Sequence, residues 1–527
     1  RGGSVERKWW TLIAVAVAIF MLLLDITVVN VALPSIQHSL HSSFADLQWV
    51  VNAYALTLAA FLLTAGALAD LLGRRRIFTM GLVVFTLSSV VCGLSSTPLM
   101  LNIARAVQGV GGAMMFATSL ALLAEAFHGK ERGTAFGVFG AVTGAAVAVG
   151  PVVGGLITSA IGWEWIFFVN APIGAAAVFI TLTQVAESRD PNATGVDWLG
   201  LLTFSGSLFL LVFALIQGNE KGWGSTQIVS FLIASAVLIV LFVIVELRQE
   251  RPMLDLTLFR KPAFAGASIV AFAISSSMFS MFLYLTLYIQ DVLGYTPLQA
   301  GLRFLPITLL SFFVAPLSGR LSVRVPVRLL LGCGLALVGI GLLTMTAVDA
   351  SSDWTVLIPG FLLAGAGIGL INPPLASTAV GVVHHSRSGM ASGINNTFRQ
   401  VGIATGIAGL GAIFQHNITR DTMSQLSASG PGREVISAAH GQLKTALVSG
   451  EVRQLTHSLP QAARGALQHA YPIGFTSAFT SILIIGAAIA LVGSLFAFAL
   501  VRSSDFVAAH VPPAEGDGAE QPAPAAA

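Results

Sequence analysis

Charged side chains are scarce in this sequence: Asp, Glu, Lys and Arg make up 10% of its 527 residues, against 55% hydrophobic ones. Soluble domains carry roughly 25% charged residues, and here the deficit runs the whole length, at a mean hydropathy of +0.83. Apolar blocks such as residues 12–24, 56–68 and 482–500 hold hardly a charge. Blocks of about 20 apolar residues are bilayer-spanning helices, which excludes a soluble enzyme and a DNA-binding protein. Cysteine is equally sparse. Cys92 and Cys333 both lie in apolar blocks, which excludes a disulfide framework. No GxxxxGK(S/T) phosphate loop is present, which disfavours an ATP-driven pump on one chain, and no HExxH pair exists. No histidine falls inside an apolar block; the adjacent His384 and His385 fall in a turn and read as solvated loop rather than a metal site. The first apolar block is too long for a cleavable signal peptide and lacks a small-x-small exit.

What is present is a series of apolar blocks that reads as fourteen spans. They cover residues 9–34, 48–68, 77–94, 98–127, 134–161, 165–185, 198–217, 226–247, 262–290, 298–321, 329–348, 354–380, 390–414 and 474–501. An even number puts both termini on one side. Loops on that side, with the two ends, carry eighteen of the 27 Lys and Arg, including Arg74, Arg75, Arg76, Lys130, Arg248, Arg251, Arg260, Lys261 and Arg324. The opposite loops carry six, and Arg105, Arg303 and Arg399 lie within spans. The positive-inside rule then makes both termini cytoplasmic, in a multi-pass protein of the cytoplasmic membrane. The long loop 415–472 on the outer side is polar with apolar stripes at Val435, Ile436, Leu443 and Leu447, a pattern of short amphipathic helices over the outer mouth. The tail 506–527, rich in Ala, Pro and Glu, reads as disordered.

Of the 24 acidic residues only Asp25 lies deep in a span. A carboxylate in hydrocarbon costs about 2.5–3.5 kcal/mol on insertion scales and is a functional candidate by default. At the helical rise of about 1.5 Å per residue, Asp25 lies roughly 13 Å from Pro34, and Arg105 roughly 10 Å from Pro98. The two opposite charges therefore stand at matching depth in spans one and four, which permits pairing. Burial raises a carboxyl pKa and a nearby guanidinium lowers it, so a conformational change in either lets Asp25 load and release a proton. A permanently ionised structural pair is the alternative. Arg399 lies in Asn395-Asn396-Thr397-Phe398-Arg399-Gln400, a polar patch in an apolar helix, and either binds substrate or backbone carbonyls.

Four motifs resemble the major facilitator superfamily, specifically its fourteen-span drug:proton antiporters of the EmrB/QacA type. They are Leu24-Asp25-Ile26-Thr27-Val28-Val29-Asn30-Val31-Ala32-Leu33-Pro34 in span one and Gly66-Ala67-Leu68-Ala69-Asp70-Leu71-Leu72-Gly73-Arg74-Arg75-Arg76 after span two. Arg105-Ala106-Val107-Gln108-Gly109 in span four and Gly150-Pro151-Val152-Val153-Gly154-Gly155 in span five complete the set. Glu164 departs from the family, which usually has Arg there. The resemblance implies an all-α integral membrane protein of the major facilitator fold: a six-helix bundle at 1–190, two inserted helices at 191–255 and a second six-helix bundle at 256–505. It implies Asp25 and Arg105 in proton transfer, a cytoplasmic gate at Asp70, Arg74 and Arg75, and the antiporter motif at Gly150, Pro151, Gly154 and Gly155.

Each motif also has its own physics. Asp70 can cap a neighbouring helix, and the arginines can bridge to carboxylates on the facing half. Small residues at four-residue spacing let helices approach closely, and Pro151 permits a kink; Gly402, Gly406, Gly409 and Gly411 echo the pattern in span thirteen. Trp49, Asn52 and Tyr54 on span two, with Phe279, Phe282, Tyr284 and Tyr288 on span nine and Asn395 and Arg399 on span thirteen, are the substrate-binding candidates. Aromatic faces attract cations by about 0.5–2 kcal/mol. The expectation is a monomeric, proton-driven exporter of amphipathic cationic or neutral compounds, using the proton motive force and no cofactor, metal or nucleic acid. A dedicated exporter of one natural product, lipid or siderophore is the alternative. A membrane sensor or polytopic enzyme would need a soluble domain or an intramembrane catalytic group, and neither is visible.

Overall fold

The computed structural model describes residues 7–127, 129–189, 195–249, 252, 254–322, 324–382, 388–439, 443, 446–447, 452, 455 and 459–502. His384, His385 and the tail 506–527 lie outside the described residues. Among the described residues every regular element is helical, as lipid demands of a chain that must satisfy its own backbone. Thirteen helices are long and apolar enough to cross a membrane, or fourteen if the bent pair Pro297–Arg303 and Leu305–Leu321 is one span. The 40° bend of that pair falls beside Pro306, whose missing N–H interrupts the helical ladder.

The first seven helices are α1 (Arg7–Leu40), α2 (Phe44–Leu72), α3 (Arg74–Gly93), α4 (Pro98–Ala126), α5 (Gly129–Ala160), α6 (Trp165–Phe168) and α7 (Asn170–Gln184). Their starts are written in the sequence. Ser43 and Asp46 form a reciprocal capping box at α2, and Thr97 caps α4 with Pro98 in the first turn. Pro34, expected to end span one, lies inside α1, which continues to Leu40. In this half α2 and α3 pack along α4, and α1 along α5. The inserted helices α8 (Trp198–Lys221) and α9 (Thr226–Arg248) pair with each other and lie on the seam between α2 and the later α16.

The second half holds α10 (Pro262–Ile274), α11 (Ser280–Leu287), α12 (Pro297–Arg303), α13 (Leu305–Leu321), α14 (Val327–Met345), α15 (Ile358–Gly381), α16 (Ser388–Ser427), α17 (Gly430–Ala438) and α18 (Gln461–Leu500). Two π-helical turns, Ser275–Phe279 and Tyr288–Val292, flank α11 and make one continuous span with α10. The glycine echo has a geometric counterpart. In α5, Gly154 lies against the Val28 backbone of α1; in α16, Gly402 and Gly406 lie against Phe272 and Ser276 of span nine. Likewise Gly81 meets the Gly111 carbonyl between α3 and α4, as Gly341 meets the Gly360 carbonyl between α14 and α15.

The outer segment 415–472, expected to carry short amphipathic helices, is in its described parts helical, much of it as extensions of the two flanking spans. The α16 and α18 helices each run 40 residues and carry well past the apolar spans; in α16 no glycine or proline interrupts the chain between Phe414 and Ser427. Leu426 of α16, Val435 of α17 and Leu467 of α18 form, with Leu443 and Leu447, a separate apolar cluster with Ile436 against its edge.

Candidate functional site

Asp25, on α1, is 3% exposed and Arg105, on α4, is 1% exposed. Arg105 Nη1 donates to Asp25 Oδ2 at 2.5 Å. The other carboxylate oxygen accepts from Gln108 Nε2 at 3.0 Å and from Asn170 Nδ2 at 3.4 Å. The guanidinium is itself fixed: its Nε donates to the Val50 carbonyl of α2, Nη1 also reaches Gln108 Oε1, and its plane covers the Tyr54 ring at 4.4 Å. Asn170 in turn donates to Ser89 Oγ at 3.0 Å, which donates to the Phe167 carbonyl. Helices α1, α2, α3, α4 and α7 thus converge on one carboxylate.

The electrostatics follow from burial. A desolvated ion pair is retained only with good geometry and with its remaining hydrogen-bonding capacity satisfied, and here donors face both carboxylate oxygens. The spacing argument located Asp25 and Arg105 but missed Asn170 and Ser89. Asn170-Ala171-Pro172, a polar residue where a span opens, was the available signal. Gln108 was visible in its motif without an assigned partner.

Asp70 and the three arginines lie on the side where α1 begins, here the terminal side. Arg74 bridges Asp70 at 3.0 Å and Glu125 at 3.6 Å; Arg75 and Arg76 lie 3.8 and 3.7 Å from Glu187. Among the described residues the expected bridges to the facing half are not made: the ion pairs of these arginines stay within the first half. Glu187, which sequence reading did not single out, also accepts the Arg75 amide, under the α2–α3 turn that Gly73 makes at φ +114°.

Toward the terminal side Leu63 of α2 packs beside Gly393 of α16, and on the far side the halves are joined by hydrogen bonds. Gln290 Nε2 donates to the Val31 carbonyl at 2.7 Å, Gln48 Nε2 to the Ile407 carbonyl at 3.3 Å, and the Leu298 amide to Ser159 Oγ at 3.0 Å. Phe44 packs on Tyr284 and Phe414. The antiporter motif belongs to this closure. Gly155 lies against the Pro297 carbonyl, Gly301 against that of Pro151, and Gly150 faces the Thr27 side chain.

The aromatic candidates separate by position. Phe279 and Phe282 are partly buried 6.3 Å apart, continuing through Phe304 to Phe361, and the Arg399 guanidinium lies 5.8 Å from the Phe279 ring. Arg399 Nη2 donates to Asn372 Oδ1 at 2.6 Å. Sequence reading missed that partner, although Asn372-Pro373-Pro374 marks a polar break in α15. Pro374 leaves the Leu370 carbonyl without its helical donor, and Ser318 Oγ supplies one at 2.7 Å.

The remaining candidates have other neighbours. Trp49 faces Phe209 and Phe213 of the inserted α8, and Tyr284 donates to the Ile407 carbonyl in the far-side closure. Tyr288 stacks on Phe479 inside the second half, and Asn395 is buried and donates to the Ala267 carbonyl. Tyr54 belongs with Arg105. Each uses its aromatic or amide face for packing, which sequence alone does not distinguish from a cavity wall. Asn52 is fully buried with neither amide atom hydrogen-bonded.

Residues 15–407 match the family described as the Major Facilitator Superfamily. The multidrug resistance protein Stp of Mycobacterium tuberculosis is 40% identical over 404 residues, 76% of this chain and 75% of that protein. The puromycin resistance protein pur8 of Streptomyces alboniger is 36% identical over 446 residues, 83% and 88% of the two chains. Among solved structures, a bacterial homologue of the human lysosomal transporter Spinster, inward-facing and occupied, superposes at a TM-score of 0.62 with 18% identity, covering 96% of this chain and 99% of that one.

Proposed function

This chain belongs to the Major Facilitator Superfamily, and from that premise we propose that it exports lipophilic drug-like compounds across the cytoplasmic membrane in exchange for protons. The observation that carries the coupling is the desolvated Asp25 carboxylate, held by Arg105, Gln108 and Asn170. Both termini are cytoplasmic, so far-side closure makes this an inward-facing state. The first half (1–190) and the second (256–505) rock about the bound compound, and the inserted pair (191–255) bridges their seam. Compound enters from the cytoplasm or inner leaflet and meets Phe279, Phe282 and Arg399 near the midplane, where substrates of such folds bind. As the halves rock, Gly150, Gly154 and Gly155 disengage from their partners. Arg105 withdraws, Asp25 takes a proton from outside, and the compound leaves. Return inward re-forms the pair and releases the proton, one per cycle. Asp70, Arg74 and Arg75 form the cytoplasmic gate, with partners exchanged for the facing half when that side closes. The transporter works as a monomer.

Names of relatives support drug export; the pur8 name, which specifies one antibiotic, favours the narrower second reading of a single-compound exporter. Purified protein in proteoliposomes tests both. Dye or puromycin efflux is expected to follow an imposed pH gradient and to stop with a protonophore; gradient-independent transport would sink the coupling. A screen over unrelated lipophilic cations separates broad from narrow range.

Arg399 and Asn372 give a further expectation. Asn372→Ala removes the only side chain among the described residues that is hydrogen-bonded to that guanidinium, and a hydrogen bond to a charged group contributes about 1.5–3 kcal/mol. Substrate KM is expected to rise roughly ten- to 100-fold, at about 1.4 kcal/mol per decade, while proton coupling persists. An unchanged KM in the efflux assay would remove Arg399 from the binding site.

A further inference from the structure

The inserted helices carry a second buried acid outside the transport site. Glu246, one turn from the cytoplasmic end of α9, is 3% exposed, as is Asp25, and no other acid among the described residues is buried as deeply. Its Oε2 accepts the Leu254 amide at 3.1 Å, and its buried Oε1 has no donor. Asp197, which caps α8, accepts the Gly200 amide at 2.7 Å and Gln249 Nε2 at 2.8 Å through Oδ1, while its buried Oδ2 likewise has no donor. The two orphan oxygens converge on one place, both lying over the Cα of Gly200, and the carboxyl groups are within hydrogen-bonding reach of each other.

Among the described residues no basic group balances them. Among the described residues neither carboxylate has an ion-pair partner. Arg248, on the same helix, is exposed, as is Arg260, and Lys261 is committed to the Val382 carbonyl. Asp255, on the strap that leads into α10, adds a third negative group near Glu246 and accepts from the Thr257 amide and hydroxyl. Like charges in contact, with Glu246 buried and Asp197 half-buried, repel strongly, and an acceptor without a donor is costly when buried. One proton answers both problems, because an O–H from Glu246 to Asp197 satisfies both orphans and removes one charge.

We propose that Asp197 and Glu246 form a second proton-binding site, in which one shared proton latches the start of α8 to the end of α9. The proton comes from cytoplasmic water and no other bond changes. Through the Leu254 amide the same carboxyl group holds the strap that enters span nine, so the latch ties the inserted pair to the second half. Loss of the proton places two anions face to face and loosens that strap. The site is separate from Asp25, about which it makes no assumption.

The test uses the purified full chain and needs no transport assay, so its failure is distinct from failure of the export reading. Infrared spectra of wild-type protein at neutral pH are expected to show the carbonyl stretch of a protonated carboxyl, lost in Glu246→Gln and in Asp197→Asn and kept in Asp25→Asn. Either amide can donate in place of the shared proton, so both variants are expected to fold. The folded state binds a proton that the unfolded state gives up, so the wild-type unfolding midpoint is expected to fall as pH rises through release of that proton. Glu246→Gln is expected to lack this fall. A carboxyl band that survives in Glu246→Gln, equal pH dependence of the two midpoints, or stabilisation of wild type by sodium at fixed pH overturns the proposal.

Discussion

Asp25→Asn is expected to reduce gradient-driven efflux to the level of empty liposomes. Asparagine preserves the shape of the side chain and can still accept from Arg105, but it cannot carry a proton across. The substitution also leaves a buried guanidinium without its counter-charge, and breaking a buried pair from one side costs about 3–5 kcal/mol. A loss of transport alone would therefore not separate coupling from folding. The double variant Asp25→Asn with Arg105→Met does, since replacing both members of a buried pair with neutral groups is often neutral for stability. The single variant is expected to unfold at lower temperature, and the double to recover toward wild type without regaining coupling. Coupled transport in the double variant, measured as dye efflux under a pH gradient, would show that proton movement runs elsewhere.

Gly155→Val is expected to shift the protein away from the state closed on the far side. A Cβ at Gly155 would meet the Pro297 carbonyl and lie 2.8 Å from the Leu298 Cα. These are backbone atoms of the opposite half and cannot swing aside as a side chain can. Overpacking costs about 1–3 kcal/mol. Because the contact exists only while the halves are joined there, that cost falls on one state of two, and a bias of this size moves populations by about five- to 150-fold. Cysteines placed at Val31 and Gln290, whose contact spans the closure, report the population. In a Cys333→Ser background their crosslinking yield is expected to drop sharply with Gly155→Val, and efflux with it. Leu156→Val, at an exposed neighbour, is the control expected to leave both unchanged. Equal crosslinking in Gly155→Val and wild type would mean that α5 does not form the seal.

The fate of individual residues shows which questions sequence could answer. Asp25 and Arg105 were legible because hydrocarbon makes any charge conspicuous and helical rise converts residue number into depth. Their companions Asn170 and Ser89 were not, because neutral polar residues occur in many spans and their partners come from helices far apart in sequence. The neighbours of the aromatic candidates were not legible for a related reason. Trp49, Tyr284 and Tyr288 have the chemistry of a binding wall, but which face of α2 or of span nine meets the cavity depends on helix rotation, and two π-helical turns alter that rotation locally. The arginines after Asp70 were recognisable as a cluster, yet their choice of Glu125 and Glu187 over the facing half depends on which side of the protein is closed.

Sequence by itself determined that this chain crosses a membrane some fourteen times, where its helices begin, which carboxylate lies in oil and which glycines permit close approach. These follow from local composition, from spacing along one helix and from the energetic penalty of burying charge. The tertiary structure alone decided that Asn372 is the partner of Arg399, that the Gly155 contact lies between halves and that Asp197 meets Glu246 beneath the inserted helices. Each of those depends on the rotation and depth of two helices relative to one another, which packing sets and no single segment encodes.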